Sequence, residues 1–186
     1  MTMIRPHRAS THSMARVFLG VLALCLGSVA MAEEPATAVF SQIGYSEGSN
    51  ALSLGLHKDW NWSKTFNSGR LSGQWQVEVG RWMTKREDST VVGLTPAFRF
   101  HPAAWGDRWF VDFGTGANAI FPKYHPEKKR FSTTFNFGTH AGIGRHIGVD
   151  GTSELTLRIA HYSNARIERP NPGENFLQVR YAKRWN

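Results

Sequence analysis

The sequence predicts an all-β protein, an eight-stranded antiparallel transmembrane β-barrel, on three observations. An export segment precedes everything else. Eight segments rich in aromatic and β-branched residues then recur, separated by Gly, Asn, Pro or charged clusters, with no competing amphipathic helix. Within those segments an aromatic face alternates with a face that is tiny or polar. Side chains two apart share a face of a strand. A soluble sandwich or lipocalin would hide the aromatic face. Here the opposite face is rich in Gly with scattered Gln, Glu, Asn, His and Arg, which suits a narrow lumen inside and lipid outside.

The first element is a signal peptide over residues 1–32. Arg5, Arg8 and Arg16 precede an apolar run that ends in Ala30-Met31-Ala32, a small-residue cleavage pattern. The run is too short and too directly followed by that pattern to read as a spanning helix. Cys25 does not suggest a lipoprotein, because Leu24 stands where a small residue is expected. Cleavage after Ala32 leaves residues 33–186 as one domain without cysteine, so no disulfide scaffold is available. It also leaves 19 basic against 14 acidic residues, a net charge of +5 where the full chain has +8. An exported β-barrel of this kind belongs in the outer membrane.

The strands follow in order. "ATAVFSQIGYS" and "ALSLGLHKDW" open the series. In "SGQWQVEVGRWM", Trp75, Val77 and Val79 alternate with Gln74, Gln76 and Glu78. In "STVVGLTPAFRF", Leu94, Phe98 and Phe100 oppose Gly93, Thr95, Ala97 and Arg99. In "RWFVDFGTGANAIF", Trp109, Val111 and Phe113 oppose Asp112, Gly114 and Gly116. In "TTFNFGTHAGIG", Phe135, Phe137 and Ile143 oppose Asn136, Gly138, His140 and Gly142. "SELTLRIAHYS" and "NFLQVRYAKRW" complete the eight. Trp60, Trp62, Trp82, Trp105, Trp109 and Trp185 are expected in interfacial girdles. The connections "KDWNWSKTFNSGR", "TKREDS" and "PKYHPEKKRF" hold much of the charge, and the run Lys128-Lys129-Arg130 is either a solvated loop or a contact for lipid phosphates.

The seventh segment carries the chemistry. Leu155, Leu157 and Ile159 define one face, and the same row continues as His161 and Ser163. A base and a nucleophile thus stand where a structural strand would place two more aliphatic groups, and polar groups set against hydrocarbon tend to be functional. Imidazole at i and hydroxyl at i+2 are close enough for His161 to take the Ser163 proton. A third group should orient the imidazole. Parity favours Asn175 as the outward partner, whereas Glu174 is the better chemical choice if a bulge near Gly173 re-aims it.

"HYSNA" (161–165) followed by "PNPG" (170–173), with "FNFGTHAGIG" upstream, resembles the PagL family of lipid A 3-O-deacylases, outer-membrane esterases. The resemblance implies Ser163 as nucleophile, His161 as general base, and the backbone amide of Asn164 in an oxyanion hole. It implies an acidic third member at the position of Asn175. This chain departs from that, since an amide can hold a tautomer but brings no negative charge. Arg166 stands where some relatives have Gly, which leaves a second oxyanion amide in question.

The other histidines of residues 33–186, His57, His101, His125, His140 and His146, lack metal-ligand spacing and read as lumenal, loop or interface residues. Glu168 reads as an exposed loop charge. No phosphate-binding Gly loop opens a helix, and serine esterase chemistry needs no cofactor. Dispersed basic residues on an exported chain point to anionic lipopolysaccharide and outer-membrane lipids as partners, not nucleic acid; a homodimer is an allowed assembly. The rival reading is a non-enzymatic small barrel acting in lipopolysaccharide binding, adhesion or envelope integrity, and another is a different lipid esterase using the same pair.

Overall fold

The computed structural model describes residues 36–185; the signal peptide expected over residues 1–32 lies outside them. Eight strands form a closed antiparallel barrel in simple chain order: β1 (Thr37–Ser46), β2 (Ser49–Phe66), β3 (Gly69–Thr84), β4 (Ser89–Pro102), β5 (Trp109–Phe121), β6 (Phe135–Ile147), β7 (Ser153–Ser163) and β8 (Glu174–Trp185). Closure comes from β1 on β8, in register from Thr37 opposite Trp185 to Tyr45 opposite Leu177. The short connections 67–68, 103–108 and 148–152 lie at the end that carries both termini, and the long ones, 122–134 and 164–173, lie at the other. Short turns on the periplasmic side and long loops outside are the habit of outer-membrane barrels.

Parity sorts the side chains as the sequence suggests. Val39, Ile43, Leu52, Leu54, Leu56, Val77, Val79, Leu94, Phe113, Leu155, Leu157, Ile159, Leu177 and Val179 are all exposed on the outer wall. That much bare apolar surface suits a membrane and no aqueous setting. Inside, Gln42, Gln76, Arg158 and Arg180 surround a void of only about 20 Å³, so the middle of the lumen is filled rather than open.

The lumen is held together by charge. Arg158 Nη2 meets Asp112 Oδ1 at 2.6 Å, and Gln74 Nε2 donates to Asp112 Oδ2 at 3.1 Å. Arg180 donates to Gln42 Oε1 and Gln76 Oε1, each at 2.8 Å. Nearer the termini Arg99 grips Glu154 with two bonds of 2.8 and 2.9 Å, and Arg184 pairs with Asp59 at 2.7 Å. Each buried charge has an opposite partner, which is the condition for tolerating it there.

Two expectations need correcting. The stretch "KDWNWSKTFNSGR" is mostly strand: β2 and β3 continue through it, with β4 paired alongside β3 as far as Gly69 opposite Pro102, and with a register shift between Asp59 and Ser63. Trp60 keeps the outward parity of Leu52, Leu54 and Leu56 and lies on the outer wall, 5.6 Å from Trp75 and 5.4 Å from Phe98. The charges of this stretch mimic a loop because strands near the water boundary can carry them. Trp82, expected in a girdle, is instead buried inside the loop end of the lumen, where it packs on Tyr124, Tyr162 and Phe176 with ring centroids 4.7 to 5.0 Å apart. Its parity in β3 is that of Gln74 and Gln76, and position near a strand end does not override parity.

Asp112→Ala leaves Arg158 as an uncompensated buried cation. A loss of about 3–5 kcal/mol is expected, read from urea unfolding of the detergent-solubilised barrel; a loss below about 1 kcal/mol would mean that the network does not support the wall.

Candidate active site

His161 and Ser163 end β7, on the exposed row of Leu155, Leu157 and Ile159. The register of β7 on β8 sets His161 opposite Asn175 and Tyr162 opposite Glu174. Alternation turns Asn175 outward beside the imidazole, and His161 Nδ1 lies 2.7 Å from Asn175 Oδ1. An amide oxygen only accepts, so Nδ1 carries the proton in this arrangement and Nε2 is left as the basic atom. That is the tautomer a general base requires. Ser163 stands two residues further along the same face, opposite Phe137 of β6. Among the described residues no hydrogen bond joins Ser163 Oγ to the ring. Cβ atoms two apart in a strand are roughly 7 Å distant, a gap the two side chains close by rotation, and such bonds often tighten only when substrate binds.

Glu174 faces the lumen. It accepts from Tyr124 Oη at 3.0 Å and from Lys129 Nζ at 3.2 Å, and its own Oε1 takes the Asn175 amide at 3.2 Å. Burial pushes the Tyr124 phenol up to about 12, so it remains a donor at ordinary pH. Glu174 therefore anchors the 122–134 loop to the start of β8 and makes no hydrogen bond to His161. No bulge re-aims it; the β7–β8 register is regular up to the turn.

Gly173 fits the ring. Its φ of +65° favours glycine, and a Cβ there would lie 2.7 Å from His161 Cε1. Backbone conformation and space both bar a side chain.

Asn164 is buried and organises the 164–173 loop. Its Oδ1 accepts from the Arg166 amide at 2.9 Å, and its Nδ2 donates to Ser132 Oγ and to the Glu168 carbonyl, each at 2.8 Å. Its own amide donates to Asn171 Oδ1 at 3.1 Å. The amide expected in an oxyanion hole is thus engaged, because the "PNPG" turn folds Asn171 back onto it. It can serve a substrate oxygen only by exchanging that partner.

Two residues escaped the sequence reading. Thr139 lies opposite His161, and Thr115 opposite Thr139, their hydroxyls 2.9 Å apart. Together Thr115, Thr139, His161 and Asn175 draw a polar row across four strands on the outer wall. The signal was available, since both threonines occupy the aromatic parity of their strands. Of the other histidines, His57, His101, His140 and His146 belong to the barrel strands, and His125 lies in the 122–134 loop near Arg86. Among the described residues no three His, Cys, Asp or Glu side chains are grouped to hold a metal.

A closed barrel that displays a serine and an oriented imidazole on its outer wall has the architecture of an esterase that meets its substrate in lipid. The chain belongs to the lipid A 3-O-deacylase (PagL) family, whose model matches residues 50–184. It is 28% identical over 170 residues to a lipid A deacylase PagL of Bordetella bronchiseptica, covering 87% of this chain and 92% of that one. To a lipid A deacylase PagL of Pseudomonas aeruginosa it is 29% identical over 160 residues, covering 83% and 90%. A crystal structure of the outer membrane enzyme PagL superimposes with a TM-score of 0.69 at 25% identity, covering 78% of this chain and 98% of that one.

Gly173→Ala should push the imidazole off its position and lower turnover by roughly a hundredfold, the scale of an ångström misplacement, while the barrel stays folded. Full activity in a Gly173→Ala barrel would mean that the ring position seen here is not the working one.

Proposed function

We propose that the protein is an outer-membrane lipid A 3-O-deacylase that uses Ser163 as nucleophile and His161 as general base, with Asn175 orienting the imidazole. The observation that carries this reading is the 2.7 Å contact of His161 Nδ1 with Asn175 Oδ1 on the lipid-facing wall, one step along the strand face from Ser163. Family membership supports the substrate. It also favours an enzyme over a purely adhesive or structural barrel, as does the placing of polar groups where hydrocarbon penalises them.

The steps of this reading are those of serine esterase chemistry. Lipid A approaches sideways through the outer leaflet, so its acyl chain stays in hydrocarbon throughout. Ser163 Oγ attacks the carbonyl carbon of the 3-position ester while His161 Nε2 takes the hydroxyl proton. The tetrahedral intermediate collapses, the sugar oxygen leaves with the proton from His161, and an acyl-enzyme remains. Water, deprotonated by His161, then attacks that ester, and a 3-hydroxy fatty acid departs as Ser163 regains its proton. The Asn164 amide supplies oxyanion stabilisation once Asn171 yields it. The neutral Asn175 holds the tautomer but leaves the imidazolium without a facing charge, so this triad is weaker than one closed by a carboxylate.

The test is mass spectrometry of lipid A from cells that express the wild-type chain or Ser163→Ala. Loss of one 3-hydroxyacyl group with wild type alone is expected; identical, fully acylated lipid A in both, with folded barrel present, would leave a binding or structural barrel. On the same assay Asn175→Asp should raise turnover by about tenfold or more above the carboxylate pKa, by the charge it adds beside the imidazolium. An unchanged or lower rate would show that the third position works by geometry alone.

A further inference from the structure

The loops above Ser163 carry many cations, and their pairing sorts them. Lys85 pairs with Glu127 at 3.4 Å, Lys128 with Glu47 at 3.6 Å and Lys129 with Glu174 at 3.2 Å. Arg86 reaches His125 Nε2 at 3.3 Å. Arg130, Arg166 and Arg169 are exposed, as is Lys123, and among the described residues none of the four has an ion-pair or hydrogen-bond partner for its charged group; the three arginines are the ones set at or near residues that Asn164 binds.

The backbone segments that carry these three arginines are tied to one side chain. Asn164, the residue after the candidate nucleophile, donates to Ser132 Oγ and to the Glu168 carbonyl, and Ser132 Oγ donates to that same carbonyl at 3.1 Å. Ser132 is two residues from Arg130, and Glu168 is next to Arg169. The Arg166 amide is itself held by Asn164 Oδ1. One buried side chain, next in the chain to Ser163, therefore staples together the two loops that carry the three arginines. Arg166 is also held at φ +67°, beside Ala165 at φ +52°, in a region that favours glycine. A guanidinium kept at an unfavourable backbone position next to a site is a pointer to function.

We propose that Arg130, Arg166 and Arg169 form an anion cradle that takes a phosphate monoester on the sugar head group of lipid A while the acyl ester meets Ser163. The proposal rests on the deacylase reading above and adds how the head group is registered. The cradle belongs to the long-loop end, where β7 leaves the apolar band for water, so it meets the polar part of a lipid whose tail runs down the wall. Planar guanidinium forks match phosphate oxygens, and three from two loops fix orientation as well as charge.

The experiment compares detergent-solubilised wild type with the triple variant Arg130→Gln, Arg166→Gln, Arg169→Gln on bisphosphorylated lipid A and on the same lipid after removal of its phosphates. Heat-modifiable gel mobility checks folding, which exposed side chains should leave intact. Wild type should favour the phosphorylated substrate through KM by about tenfold, a preference that falls as salt is added. In the triple variant the ratio should approach one and lose its salt dependence. A triple Arg→Lys variant should keep the salt dependence with part of the preference, since it retains point charges without the forks. A wild-type enzyme that turns over both lipids without preference, or a Gln variant that keeps the preference, overturns the cradle alone. A folded wild type that deacylates neither substrate overturns the deacylase reading beneath it. Where the triple variant fails to fold, the Arg169→Gln single variant carries the same comparison, and an unaltered ratio there removes Arg169 from the cradle.

Discussion

Hydrocarbon offers no partner to an unpaired backbone group, and that constraint closes the eight strands into a ring. Everything else descends from it. Once β1 is paired with β8, each residue in a strand belongs either to the lumen or to the lipid, with no third place to go. The lumen must then bury charge, and it does so with Arg158 on Asp112 and Arg99 on Glu154. The outside must be apolar, so the few polar groups that remain there require a reason. His161, Asn175, Thr139 and Thr115 are among those groups, and these four lie in one row beside Ser163.

The same alternation divides labour between two adjacent residues of β8. Glu174, chemically the stronger partner for an imidazole, is directed inward and bound by Tyr124 and Lys129. Asn175, chemically the weaker, is directed outward and meets His161. The candidate site is thus backed by a lumenal carboxylate that fastens the 122–134 loop, while the residue that meets its imidazole is neutral. A barrel wall is one strand thick, so the support of the site and the site itself occupy opposite faces of the same few residues.

Much of this was legible in the sequence. Eight segments, the inward Gly, Gln and Arg, the outward aliphatic rows and the break at His161 and Ser163 all follow from period two, which is set by local geometry. What escaped depends on contacts between distant segments. Trp82 looked like a girdle residue because tryptophans gather near strand ends, yet its partners Tyr124, Tyr162 and Phe176 come from three other places in the chain. Residues 58–70 looked like a loop because polar composition marks water exposure, and a strand that overruns the membrane is exposed to water too. The engagement of the Asn164 amide by Asn171 depends on how the "PNPG" turn folds back, which no pattern of spacing encodes.

The central claim is that the reactive serine stands on the lipid-facing wall and is activated by His161. Labelling with a long-chain alkyl fluorophosphonate in lipid vesicles, followed by peptide mass mapping, tests it most directly, because the reagent reaches an activated serine from the hydrocarbon side. A single adduct on Ser163 that vanishes in a folded His161→Ala barrel is expected. Adduct on another residue, or labelling of Ser163 that persists without His161, would contradict it.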